Sequence, residues 1–267
     1  MFHCNKFLTL GLALLLAAQE QRELRAQQDF RRGDADGSGR VDLYDGATIV
    51  ERLFRGGSIA CQAALDANGD GLLNLADSAY LLTWLSTGGP EPPSPGPFDC
   101  GPSAEGSLTC AEYNCAATPE VLPAEGVSLG VRYVGPGTLD CTLADSGSGA
   151  GIEAWSFGVS AEGGKIVEIG NGSFSTQVGF VTQGAGNEGA VSSVVLSGIK
   201  KVELPKNTTA AVARIRVVAT TSERRVVLRY ADGLVGPGQP VSTEVFTAEG
   251  VFKPSTAPFT IECTALD

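Results

Sequence analysis

The chain has 267 residues, with 30 Asp and Glu against 19 Lys and Arg, giving a formal net charge of −11. That balance argues against nucleic acid or anionic membrane as a partner, because phosphate binding needs clustered Lys and Arg. The length is enough for two compact modules.

Residues 1–26 read as an export signal. Lys6 supplies positive charge, and Phe7 to Ala18 is a mostly apolar run of twelve residues, too short for a stable membrane span. Cleavage after Ala18 or Ala26 fits this reading, and a retained anchor is the alternative. Removing the segment takes away the only histidine (His3), the only methionine (Met1) and Cys4. Without histidine, Ser-His and Cys-His nucleophile pairs and the usual zinc sites are excluded. Six cysteines remain: Cys61, Cys100, Cys110, Cys115, Cys141 and Cys263. An even number in an exported chain predicts up to three disulfides, and sequence does not determine their pairing. The arrangement that keeps each bond within its own module is Cys61–Cys100, Cys110–Cys115 and Cys141–Cys263.

One pattern then occurs twice, 32 residues apart (Asp34 to Asp66). In the first copy, oxygen-bearing side chains stand at Asp34, Asp36, Ser38, Asp42 and Asp45, with Gly39 at the sixth position and Arg40 at the seventh. The second copy places Asp66, Asn68, Asp70, Asn74 and Asp77 on the same spacing, with Gly71 sixth and Leu72 seventh. Positions 1, 3, 5, 9 and 12, together with the position-7 carbonyl, are what a hard, oxygen-seeking cation requires, and glycine permits the sharp turn. The expected ligand is calcium, two ions in all. Aspartate at position 12 reaches less far than the usual glutamate.

Each loop leads into a helix-spaced apolar run. Leu43, Ala47, Val50 and Phe54 recur after the first loop, and Leu75, Ala79, Leu82 and Ser86 after the second. Gly56-Gly57 and Gly88-Gly89 are placed to end them. Phe30-Arg31-Arg32-Gly33 leads straight into the first loop, so each repeat is a loop with an exit helix only.

These residues resemble the dockerin modules of cellulosomal and related exported proteins, over roughly residues 28 to 90. Aspartate at loop position 12, Asn74 and the spaced leucines all match. The resemblance implies a calcium-dependent fold that docks a helix face onto a cohesin-like or other extracellular β-sandwich. It also implies Asp34, Asp36, Ser38, Arg40 (carbonyl), Asp42 and Asp45 as ligands of one ion. Asp66, Asn68, Asp70, Leu72 (carbonyl), Asn74 and Asp77 would hold the other. Where many dockerins carry Ser-Thr to read the cohesin, this chain has Leu43-Tyr44 and Leu75-Ala76, so its partner need not be a standard cohesin. Cys61 and the Cys100–Cys115 hook look like the elaborated form in exported proteins of planctomycete-like bacteria.

From Pro90 to Pro97 five of eight residues are proline, which predicts an extended, semi-rigid spacer. A cysteine hook folded back on the calcium module is expected after it. From about Val121 onward, Gly, Asn, Asp and Pro punctuate short β-rich runs. Strands are expected near 127–133, 138–143, 151–160, 165–170, 174–182, 190–197, 199–204, 210–219, 224–230, 243–248 and 259–264. Such a series is the signature of a two-sheet sandwich. The run Gly151 to Val159 followed by Gly164 to Ile169 looks like the early strands of a cohesin-like or carbohydrate-binding sandwich. Trp155 reads as core rather than as a sugar platform. Tyr133 and Tyr230 are open to either reading, and Asn171 and Asn207 head short glycosylation-acceptor patterns better read as turns.

The expected organisation is a signal at 1–26 and a small all-α dockerin-like module at 27–89. A spacer and cysteine hook at 90–118 and an all-β jelly-roll or cohesin-like sandwich at 119–267 follow. The acids Asp140, Asp145, Glu153, Glu162 and Glu168 lack a recognisable glycosidase setting. The function this implies is non-catalytic: a secreted or cell-surface protein that docks other proteins in a calcium-dependent way, in extracellular assembly that includes polysaccharide breakdown. The alternative is an accessory protein whose sandwich binds polysaccharide.

Overall fold

A computed structural model describes residues 28–102, 108–146, 151–174, 180–185, 189–195, 203–222, 224–247 and 249–262. The expected export signal and Cys263 lie outside these residues, and the expected strand at 199–204 falls almost wholly outside them.

Helix α1 (Leu43–Arg55) starts immediately after the first loop, and α3 (Leu75–Thr87) immediately after the second. A one-turn helix, α2 (Gln62–Leu65), lies between them. The same chemistry starts both long helices. Asp42 and Asn74 are N-caps accepting the N–H of Tyr44 and Ala76. Asp45 and Asp77 complete capping boxes by accepting the N–H of Asp42 and Asn74 at 2.7 and 3.0 Å. The helices cross at equivalent repeat positions, where the Ser78 hydroxyl donates to the Gly46 carbonyl at 2.8 Å. A Cβ at Gly46 would stand 2.7 Å from a Leu82 methyl, so a larger residue there would force the helices or Leu82 to shift. Phe30, Ile49, Ala63, Leu65, Leu81 and Trp84 fill the small core.

The proline-rich run is not a free spacer. It lies against this module, held by the buried Arg32, whose Nε donates to the Pro93 carbonyl at 3.0 Å. Phe30 and Gly101 also exchange backbone hydrogen bonds in both directions. The expected disulfide pairing is corrected as well. Cys61 bonds Cys110 and Cys100 bonds Cys115, while Cys141 is a buried thiol without a disulfide among the described residues, its expected partner Cys263 lying outside them. The reason lies in the fold: the hook pairs with the α2 region through a Cys61–Cys110 bridge, with Gln62 N–H donating to the Thr109 carbonyl at 2.8 Å. That pairing puts Cys110, rather than Cys100, beside Cys61.

The rest is a β-sandwich. One layer has the order β5 (Phe180–Ala185), β6 (Ala190–Val195), β3 (Ile152–Glu162), β8 (Arg225–Ala231), β13 (Phe259–Glu262). The other runs β12 (Gly250–Thr256), β1 (Leu122–Gly135), β2 (Thr138–Asp145), β7 (Thr208–Ala219), β4 (Gly164–Asn171). Strand β11 (Glu244–Thr247) pairs with both β3 and β12 and so joins the layers. Two-residue β9 (Leu234–Val235) and β10 (Pro240–Val241) form a separate ladder. Trp155, Phe157 and Val159 point into the core with Leu139, Leu143, Ile166, Ile215, Val226 and Leu228.

The sequence pattern overlooks the two-residue β9 and β10 and the longer β12, which has Pro254 inside it. Its pairing with β1 is parallel, and the register shifts between the pairs on either side of Pro254. The missing proline N–H is thereby accommodated.

The outer face of β3 is also covered. Ala154 and Phe246 form a buried cluster with Leu43 of α1 and Leu82 of α3. The helical module therefore packs on the sandwich, and only residues 118–121 separate Ala117, which lies against Gly39, from the start of β1.

Candidate metal centre

Each loop gathers three carboxylates. One oxygen each from Asp34, Asp36 and Asp45 lies within 4.8 Å of the others, and Asp66, Asp70 and Asp77 do the same in the second loop. Asp34, Asp45, Asp66 and Asp77 are 1% exposed or less, which is unusual for aspartates with so little compensating charge.

The loop backbone holds them there. Gly39 and Gly71 stand at φ 88° and 80°, in the left-handed region that favours glycine. Their N–H groups donate to Asp34 Oδ2 at 2.8 Å and Asp66 Oδ2 at 3.2 Å. Asp36 and Asp70 accept from the N–H two residues on, at Ser38 and Leu72, each at 2.8 Å. Asp45 Oδ1 accepts from the N–H of Ala35 at 2.7 Å, and Asp77 Oδ1 from that of Asn68 at 3.4 Å.

The remaining positions expected as ligands are placed differently. The Ser38 hydroxyl donates to the Arg40 carbonyl at 3.2 Å, so positions 5 and 7 of the first loop are adjacent. Asn68 is bonded through its amide to Asp70. The Leu72 side chain is exposed, as position 7 of a loop contributing only a carbonyl allows. Asp42 and Asn74 cap the helices through their side chains, and Asp42 Oδ2 is also taken by Arg40 at 2.7 and 3.0 Å.

The electrostatics are those of carboxylates crowded in a poorly solvated place. Burial pushes Asp34 up to about 6, with Asp36 adding to the rise and the Tyr113 hydroxyl opposing it. Burial, then repulsion from Asp36, Asp42 and Asp34, holds Asp45 well above the ordinary carboxylate range. Asp77 is raised by burial against the N–H groups of Asn74 and Asn68. Asp42 is pushed up to about 6 by burial, which the Arg40 guanidinium offsets only in part. Asp34 Oδ1 is buried and has no hydrogen-bond partner among the described residues. A buried, unsatisfied carboxylate oxygen facing two further carboxylates is the environment an oxygen-coordinated divalent cation completes.

Sequence reading overlooked three neighbours. The Tyr113 hydroxyl donates to Asp34 Oδ2. Arg31 reaches the Gly39 carbonyl and lies 3.9 Å from Asp34. Arg32 lies 3.5 Å from Asp66. The signal for Tyr113 was its position between Cys110 and Cys115, which fixes it over the loop only once the true pairing is known.

The first repeat also touches the sandwich. The Arg40 guanidinium donates to Glu244 Oε1 and Oε2 at 3.0 and 2.8 Å. The Tyr44 and Phe246 rings stack, with centroids 5.9 Å apart and planes 9° apart. At the far end of α3 the Gln239 N–H donates to the Leu85 carbonyl at 2.8 Å. A cleft of about 260 Å³ runs along this junction, between Arg40, Trp84, Phe98 and Glu244.

Elsewhere, Asp140 is clamped by Arg132 and Arg214, each at 2.8 Å, and Glu162 and Glu168 pair with Arg229 and Arg216. Trp155 is fully buried, and the Tyr230 hydroxyl donates to the Gly130 carbonyl at 2.7 Å, so neither presents a sugar platform. Tyr133 is exposed.

No protein-family model matches the sequence, and no curated protein matches it. Among solved structures, the chain is similar to the third ScaC cohesin of Acetivibrio cellulolyticus, solved with the ScaB dockerin. The identity is 14%, over 52% of this chain and 98% of that one, with a TM-score of 0.38. It is similar to the OlpC cohesin of Clostridium thermocellum, solved with Doc435, at 8% identity over 54% and 95%, TM-score 0.37. A third is the seventh ScaB type I cohesin of Pseudobacteroides cellulosolvens, at 13% identity over 53% and 92%, TM-score 0.36.

Proposed function

We propose that this chain is a calcium-organised, dockerin-like docking protein of the extracellular space, in which a two-loop, two-helix module engages a β-sandwich. The observation that carries the reading is the pair of carboxylate triads, each with two buried aspartates and one exposed, and the orphaned Asp34 Oδ1 inside the first. Asp34, Asp36 and Asp45 would hold one ion with Ser38 and the Arg40 carbonyl; Asp66, Asp70 and Asp77 would hold the other with Asn68 and the Leu72 carbonyl. Asp42 and Asn74 act as helix caps that fix the last ligand of each loop. Calcium, when bound, supplies the positive charge that lets these carboxylates stay ionised and close together. The closed loops then aim α1 and α3 as one rigid face. Two disulfides within the module support an oxidising setting.

Calorimetric titration of the full chain with calcium, with circular dichroism on the same samples, tests this. Two ions bound with a gain of helix is the expected result. An absence of binding at millimolar calcium overturns it.

A further inference from the structure

Arg40 belongs to two structures at once. Its carbonyl is position 7 of the first loop, beside the Ser38 hydroxyl. Its side chain leaves the loop, pairs with the α1 cap Asp42, and grips Glu244 of β11 through two nitrogens. Such a two-nitrogen, two-oxygen pair constrains direction as well as distance. The Glu244 side chain is 6% exposed, so without Arg40 it would be a buried charge lacking its cation. Leu43 and Tyr44, also within the twelve-residue loop, pack on Ala154 and Phe246. Thus three residues lying between the loop's fifth and twelfth positions touch the sandwich directly. The second repeat does not do this: its matching residues Leu72 and Leu75 are 63% and 47% exposed.

We infer that the partner of the first repeat's face is this chain's own sandwich, and that an ion in the first loop and this internal contact stabilise one another, with Arg40–Glu244 as the latch. The inference rests on the calcium reading above and adds the partner and the regulation. Chain connection favours the same molecule over a second copy. Four residues join Ala117 to β1, so the two surfaces meet at a high effective concentration. Ordering the first loop fixes the spacing between Arg40 and the Leu43–Tyr44 pair, which must reach Glu244 and Phe246 together. Opening the loop lets that spacing vary and releases the module. Coupling of this kind is reciprocal, so weakening the latch must weaken the ion.

The test pairs calcium calorimetry with hydroxyl-radical footprinting of Phe246 and Tyr44 on the full chain, with and without chelator. Phe246 is 1% exposed with the module docked, so its oxidation reports opening. Glu244→Gln removes the charge on the sandwich without touching any loop position, and Tyr44→Ala is a second, independent lesion. The expected result is protection of Phe246 by calcium. Each variant should also weaken one of two calcium sites about fivefold or more, within the usual range for coupled sites. Two calcium sites with identical Phe246 oxidation in both conditions overturns the latch while leaving the calcium reading intact. No calcium binding brings down that reading and the latch with it. Protection that appears only as protein concentration rises overturns the internal contact in favour of one between copies.

Discussion

On the proposed calcium reading, the metal-free and calcium-loaded protein should show opposite pH dependence of stability. Burial holds Asp34 at about 6 in the folded chain, against an ordinary value of 3.8. Between those values the folded state binds more protons than the unfolded state, so stability falls as pH rises through the window. Two units at about 1.4 kcal/mol each make this roughly 3 kcal/mol from Asp34 alone, fully lost above pH 6. Asp45 and Asp77 are raised too, and they act in the same direction. The metal-free protein is therefore expected to be more stable at pH 5 than at pH 7. With saturating calcium the order reverses, because protons compete with the ion for the same oxygens. Urea unfolding at both pH values, on chelator-treated and calcium-loaded samples, reads this directly. Metal-free protein that loses stability between pH 7 and pH 5 would refute the picture of penned, unneutralised carboxylates.

Asp45→Ala and Asp77→Ala should each reduce calcium stoichiometry from two ions to one, measured by calorimetry; a variant that still binds two ions would remove that loop from the site. Reducing Cys61–Cys110, which spans 49 residues, should cost about 4 kcal/mol, and Cys100–Cys115, which spans 15, about 3 kcal/mol. Thermal melts with and without reductant check this, and unchanged melts would contradict a structural role for the hook. Trp155→Ala should destabilise the sandwich by about 3–5 kcal/mol without altering calcium stoichiometry. A loss below about 1 kcal/mol in urea melts would mean that Trp155 is not the core residue described here.

Local signals carried far into this fold. The two acidic clusters were legible because their carboxylates and the glycine of each turn recur at fixed intervals within twelve residues. The helices were legible because each starts at a side-chain cap written two or three residues away in the chain. Strands such as β7 and β8 were legible from alternation. Strand β12 was not, because a proline inside a paired strand works only where the neighbouring register shifts, and that depends on β1, far away in sequence.

By itself, then, the sequence determined the repeat, the acidic triads, the two exit helices and the sandwich class, since each depends on residues close together in the chain. Three things were decided only in the tertiary structure. The cysteine pairing depends on the hook lying along the α2 region, which brings Cys110 rather than Cys100 to Cys61. Asp42 and Asn74 serve as helix N-caps, accepting the N–H of Tyr44 and Ala76, a role that appears only once the helices are in place. The outer face of β3 is buried under α1 and α3. Ala154, Glu244 and Phe246 acquire their meaning only when a helix from a hundred or more residues earlier in the chain is set against them.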